Sequence, residues 1–116
     1  MANNRAVKFA SDVIDAKRKI NGIISHCSMF KIGKTGKLLS QRFDEPDYNG
    51  VYEKIDYVYR SIFAQDVDKM ESVLIDNYIG NSKCKNRRDG DLSYKDDMAD
   101  DALVYQVYIV WNEEEQ

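Results

Sequence analysis

Over residues 5–20, RAVKFASDVIDAKRKI, apolar positions recur at helical spacing: Ala6, Phe9, Ala10, Val13, Ala16 or Lys17, and Ile20 share one face. Lys and Arg occupy the outer face and the C-terminal end, where the helix dipole favours cations. Asn21-Gly22 supplies a stop signal. The mostly apolar stretch IISHCSMFKIG then predicts one or two short strands, the second covering Phe30 to Gly33. KLLSQRF, residues 37–43, predicts a short helix that buries Leu38 or Leu39 with Phe43. DEPDYNG, with the only proline and an Asn-Gly pair, reads as a loop with a turn.

The clearest strand is EKIDYVYRSIF, in which Ile55, Tyr57, Tyr59, Ser61 and Phe63 alternate with Asp56, Val58, Arg60 and Ile62. Asp66 offers an N-cap for VDKMESVLIDNYI, with Val67, Met70, Val73, Leu74 and Tyr78 on one face. GNSKCKNRRDGDLSYKDDMADD is polar and irregular in pattern. ALVYQVYIVW is β-branched and aromatic, a strand that runs into the acidic tail NEEEQ. This order defines an α+β domain with a small mixed or antiparallel sheet flanked by helices.

At 116 residues the chain suffices for one modest core, and 43% hydrophobic with 32% charged residues is ordinary for a globular protein. No apolar run reaches membrane-spanning length, and the N-terminus interleaves charge too closely for a secretory signal. The expectation is a cytoplasmic protein without membrane association, with Cys27 and Cys84 as reduced thiols. With His26 they are too few for a four-ligand zinc site. His26 and Cys27 are neighbours on a predicted strand and point to opposite faces, which argues against a nucleophile with its base.

The formal net charge of −3 conceals an asymmetry. Residues 1–42 carry nine Lys/Arg against Asp12 and Asp15, a net +7, whereas residues 43–116 carry eight basic against eighteen acidic, a net −10. The basic half is a candidate polyanion-facing side; solvation of a helix and its loops is the alternative.

The chemistry concentrates in MFKIGKTGKLLSQRF, residues 29–43. Gly33-Lys34-Thr35 ends a strand and opens a turn into a short helix, so Lys34, Lys37 and Arg42 can face an anion. It is not a nucleotide-triphosphate loop, because the two glycines four residues apart before Lys-Ser/Thr are absent. KIGKT, then Arg42, then strand 55–63, then a helix opening with DKMESVLID, resembles the GIY-YIG nuclease superfamily. The similarity is to its phage-type branch with a KIGKT-like second motif, and it spans residues 22–90.

That resemblance implies the following roles. The second-motif strand falls at Lys31-Ile32-Gly33, with Lys31 where a tyrosine is usual. Arg42 contacts the scissile phosphate, Glu71 is catalytic and holds one divalent metal, Mg²⁺ or Mn²⁺, and Gly33 and Asn86 are structural. Lys34, Lys37, Lys85, Arg87 and Arg88 are expected to bind nucleic acid. The first motif departs from the family, since Gly22-Ile23-Ile24 lacks the tyrosine. In a permuted arrangement the C-terminal strand, with Tyr105 and Tyr108, would lie beside strand 30–33 and supply it. Tyr105 is the catalytic candidate there; the alternative is that these aromatic residues fill the core of a small sheet.

The organisation expected is an N-terminal amphipathic helix (1–21), a GIY-YIG-like core (22–90), and an acidic loop, C-terminal strand and tail (91–116). The implied function is a small DNA-binding hydrolase, a divalent-metal endonuclease. The alternative is a catalytically inactive phage or bacterial relative that acts as a protein-binding or inhibitory module through its acidic C-terminal half. Homo-oligomerisation is left open.

Overall fold

A computed structural model describes residues 4–86 and 102–114. The elements are α1 (Asn4–Ile24), β1 (Cys27–Thr35), α2 (Leu39–Phe43), β2 (Lys54–Ser61), α3 (Ala64–Tyr78) and β3 (Tyr105–Glu113). The three strands form one antiparallel sheet in the order β1-β3-β2, the α+β class that the pattern predicts. The C-terminal strand thus lies beside Phe30–Gly33, with Phe30 opposite Trp111 and Gly33 opposite Tyr108.

As the middle strand, β3 is buried on both sides from Tyr105 to Trp111, which accounts for a run that is apolar or aromatic throughout except at Gln106. On one face Val107 and Ile109 join Phe30 and Ile32 of β1. These pack against Ala16, Ile20 and Ile23 of α1 and Val67, Met70 and Leu74 of α3. On the other face Tyr108 and Val110 meet Tyr48 and Tyr52, with Met29, Leu39, Phe43 and Ile55 around them.

Boundaries differ from the pattern in several places. β2, expected to run to Phe63, ends at Ser61, and α2, expected from Lys37, begins at Leu39 and leaves Leu38 exposed. α1 runs through Asn21-Gly22 to Ile24, so the expected division at residue 21 falls inside a helix and Gly22-Ile23-Ile24 is helical, not a strand. Burial of Ile20 and Ile23 in the core outweighs the local stop signal. α3 starts at Ala64 with Phe63 as its N-cap, which places Asp66 in the first turn rather than at the cap.

The outer edge of β1 is covered. Phe30 donates its N–H to the Lys83 carbonyl (3.0 Å) and accepts from the Lys85 N–H (2.8 Å). The buried Asn86 amide then clamps Ile32, accepting from its N–H and donating to its carbonyl, both at 2.8 Å. The side chain thereby continues the ladder where backbone pairing ends. Among the described residues no helix is long and apolar enough to cross a membrane.

Candidate functional site

Side chains alternate along β1, so Lys31 and Gly33 face one side of the sheet while Ile32 and Lys34 face the other. After β1, the short α2 carries Arg42 in its last turn. The segment that follows winds back over the sheet through an Asn49-Gly50 turn in which Gly50 takes a left-handed φ of 82°. That turn lays Tyr48, 2% exposed, against Tyr108.

Three side chains from three elements meet here. The Arg42 Nε–H donates to the Tyr108 hydroxyl at 3.0 Å, and the Tyr48 and Tyr108 hydroxyls share a hydrogen bond of 2.7 Å. The guanidinium sits 4.1 Å from the Tyr48 ring centroid and 5.9 Å from that of Tyr108, within cation–π range of both. The phenol of Tyr108 fills the space that a Cβ on Gly33 would need. Glycine is therefore the residue that lets this tyrosine lie flat on β1.

Acidic side chains close the cluster from outside. Asp47 takes two Arg42 hydrogen bonds at 2.9 Å each, and Glu45 takes a third at 3.2 Å. Burial works to lower the Arg42 pKa, but the Asp47 hydrogen bonds and the neighbouring phenols outweigh it and the net shift is upward. The same hydrogen bonds hold the Asp47 carboxyl below its ordinary range. Burial raises the pKa of Tyr108 strongly and also that of Tyr48, so both phenols stay neutral at physiological pH.

The other expected site residues are placed as follows. Tyr105 lies three positions from Tyr108, hence on the opposite face, buried in the core under the helices and beside Gly36; it does not meet Arg42. Of the two β3 tyrosines, Tyr108 is the one in the cluster. Lys31 points its ammonium at the Tyr48 ring from 6.0 Å. Lys37 pairs with Glu45 at 3.3 Å.

Lys34, on the helix side, pairs with Asp68 at 2.6 Å and approaches Glu71 at 3.6 Å. The Glu71 side chain is 12% exposed, and its charge acts on Tyr48, where it helps raise the phenol pKa. Lys85 is exposed, with its backbone on the β1 edge, and Arg87 and Arg88 lie outside the described residues. Asn86 braces β1 through its two hydrogen bonds to Ile32.

His26 and Cys27 do not cooperate. His26 Nδ1 stands 2.6 Å from a Glu113 oxygen, whereas Cys27 is buried and burial raises its thiol pKa. Tyr48, Asp47 and Glu45 are cluster members that the sequence pattern does not single out, as is Asp68, the partner of Lys34 on the helix side. One signal was present for Tyr48: it and Tyr52 stand four residues apart in a stretch otherwise composed as a turn. Comparison of the chain with family models, curated proteins and solved structures finds no match.

Proposed function

We propose that the chain is a GIY-YIG-like nuclease whose tyrosine-bearing strand is its C-terminal one, and that it binds and cuts DNA phosphodiesters at the Arg42–Tyr48–Tyr108 cluster. The observation that carries this reading is the 3.0 Å hydrogen bond from Arg42 Nε to Tyr108, with Tyr48 as the second phenol. An arginine and a strand tyrosine in contact are what the family's chemistry uses. Here they stand 66 residues apart in sequence.

In this reading the Arg42 fork grips two phosphate oxygens and offsets the charge that builds up as water attacks phosphorus. Tyr108 and Tyr48, neutral phenols at physiological pH, orient the attacking water through their hydroxyl oxygens. Lys31 adds positive charge on the same face.

Asp68 and Glu71 stand i, i+3 on α3 and both approach the Lys34 ammonium, so their oxygens converge on a point that already takes a cation. Hard carboxylate oxygens suit Mg²⁺ or Mn²⁺, and Glu71, with Asp68 beside it, would hold such an ion. A bound ion would polarise the phosphate and lower the pKa of water.

The test is cleavage of plasmid, single-stranded and branched DNA, and of RNA, with Mg²⁺ or Mn²⁺. Wild type is run beside Arg42→Ala, Tyr108→Phe and Glu71→Gln. Metal-dependent cutting by wild type that drops on the order of 100-fold or more in each variant supports the assignment. Binding of DNA that weakens with salt, without cutting, points instead to the inactive binding relative. Neither activity would direct attention to the acidic half and a protein partner.

A further inference from the structure

Arginine has five N–H donors. In Arg42 four are engaged: Nε on Tyr108, Nη1 on both Glu45 and Asp47, and Nη2 on Asp47. A phosphate held by two parallel N–H···O bonds therefore needs at least one donor back from a carboxylate. The Asp47 carboxylate, with both oxygens 2.9 Å from Arg42 nitrogens, holds the fork as a phosphate would. The neighbouring cations are matched in the same way, Lys37 by Glu45 at 3.3 Å and Lys34 by Asp68 at 2.6 Å.

Asp47 and Glu45 lie in the five residues after α2, and Asp47 is 51% exposed on its side chain. The pair is thus accessible from solvent, whereas Tyr48 directly behind it is buried.

We infer that Asp47, assisted by Glu45, is a built-in stand-in for the substrate phosphate, which occupies the Arg42 fork until a phosphate displaces it. This deepens the function proposed above and rests on Arg42 as the phosphate-binding residue. Tyr48 anchors the latch, because its buried ring fixes the backbone one residue beyond Asp47. The hydrogen bond from Nε to Tyr108 is untouched by the exchange, so the guanidinium stays aimed while its outer edge changes partner.

A site blocked nine-tenths of the time binds about tenfold more weakly than its open form. Asp47→Asn keeps the side-chain shape and removes the charge, and it is expected to bind a fluorescent 20-base-pair duplex in EDTA on the order of tenfold more tightly than wild type. Asp15→Asn, a comparable loss of charge on the outer side of α1, is expected to gain far less.

The gain must disappear when Arg42→Ala is combined with Asp47→Asn. A gain that survives in that background, or Asp47→Asn binding no better than wild type, overturns the latch. Titration with inorganic phosphate, read from the ¹⁵N resonance of Arg42 Nε, decides the matter even if no variant binds duplex and the DNA reading fails. The latch requires Asp47→Asn to respond at lower phosphate than wild type, with Glu45→Gln between them. Identical titrations would sink it.

Discussion

Gly33 and Tyr108 are partners across the β1–β3 ladder, and the phenol takes the volume that any Cβ at position 33 would claim. Gly33→Ala must therefore push the ring outward and lengthen its bond to Arg42. Overpacking of this kind costs about 1–3 kcal/mol. Urea melts should show that loss, and the variant should also lose Arg42-dependent DNA binding. A stable Gly33→Ala with full binding would mean that the ring has an alternative seat.

Tyr108 sits between two partners, whereas Tyr48 has its hydroxyl on Tyr108 alone among the hydrogen bonds described. Tyr108→Phe strands both the Tyr48 hydroxyl and Arg42 Nε in a half-buried site, at a cost of about 1–3 kcal/mol. Tyr48→Phe leaves the Tyr108–Arg42 bond in place and should cost less. Paired denaturation curves give the order directly, and the reverse order would contradict the geometry.

Burial raises the folded-state pKa of both phenols above the unfolded value. While both states are protonated such a group costs nothing; once the unfolded chain ionises and the buried phenol does not, the unfolded state is favoured, so stability is full below the ordinary phenol pKa of about 10 and falls as pH rises beyond it. Stability measured between pH 8 and 11.5 should decline above about 10. The decline should be shallower in the Tyr108→Phe variant.

Asp47 behaves oppositely, since Arg42 lowers its folded pKa. Its contribution is present above the unfolded value of about 3.9 and is lost as pH falls through the folded one. Because the side chain is half exposed, the size is that of a surface pair, about 0.2–1 kcal/mol. Acid unfolding of Asp47→Asn should lack this component when compared with wild type.

Asn86→Ala removes both side-chain bonds that close the edge of β1 at Ile32. The unpaired backbone groups cost about 1–3 kcal/mol, and amide exchange at Ile32 should accelerate. Asn86→Asp keeps an acceptor for the Ile32 N–H but loses the donor to its carbonyl, so it should fall between the two.

Local periodicity carried the helices and strands, because each buries one face and so repeats at 3.6 or 2 residues. It failed at Asn21-Gly22, where two buried isoleucines on either side hold the helix together across a residue that packs against nothing. The cluster was legible only in its β1 and α2 parts. Arg42 could be picked from its spacing to Gly33, but its partners come from residues 45–48 and 108, which no short-range pattern connects to it. Choosing between Tyr105 and Tyr108 required knowing which face of β3 meets the helices, and a strand buried on both sides has no polar alternation to reveal that. Tyr48 was hidden by composition: Pro, Asp, Asn and Gly around it announce a surface turn, yet the ring is a core residue.

The position of β3 has a consequence for synthesis. β1 and β2 never touch as ladder partners; each pairs only with the strand between them. A ribosome that has reached residue 104 has made both outer strands and α1, α2 and α3, but not β3, the strand that hydrogen-bonds the two into a sheet. Until residues 105–113 emerge, the edges of β1 and β2 that face β3 have no ladder partner, and the tyrosine that aims Arg42 does not yet exist. The nascent protein acquires its sheet and its candidate site in one event as β3 emerges, and a stop codon at position 105 would leave neither.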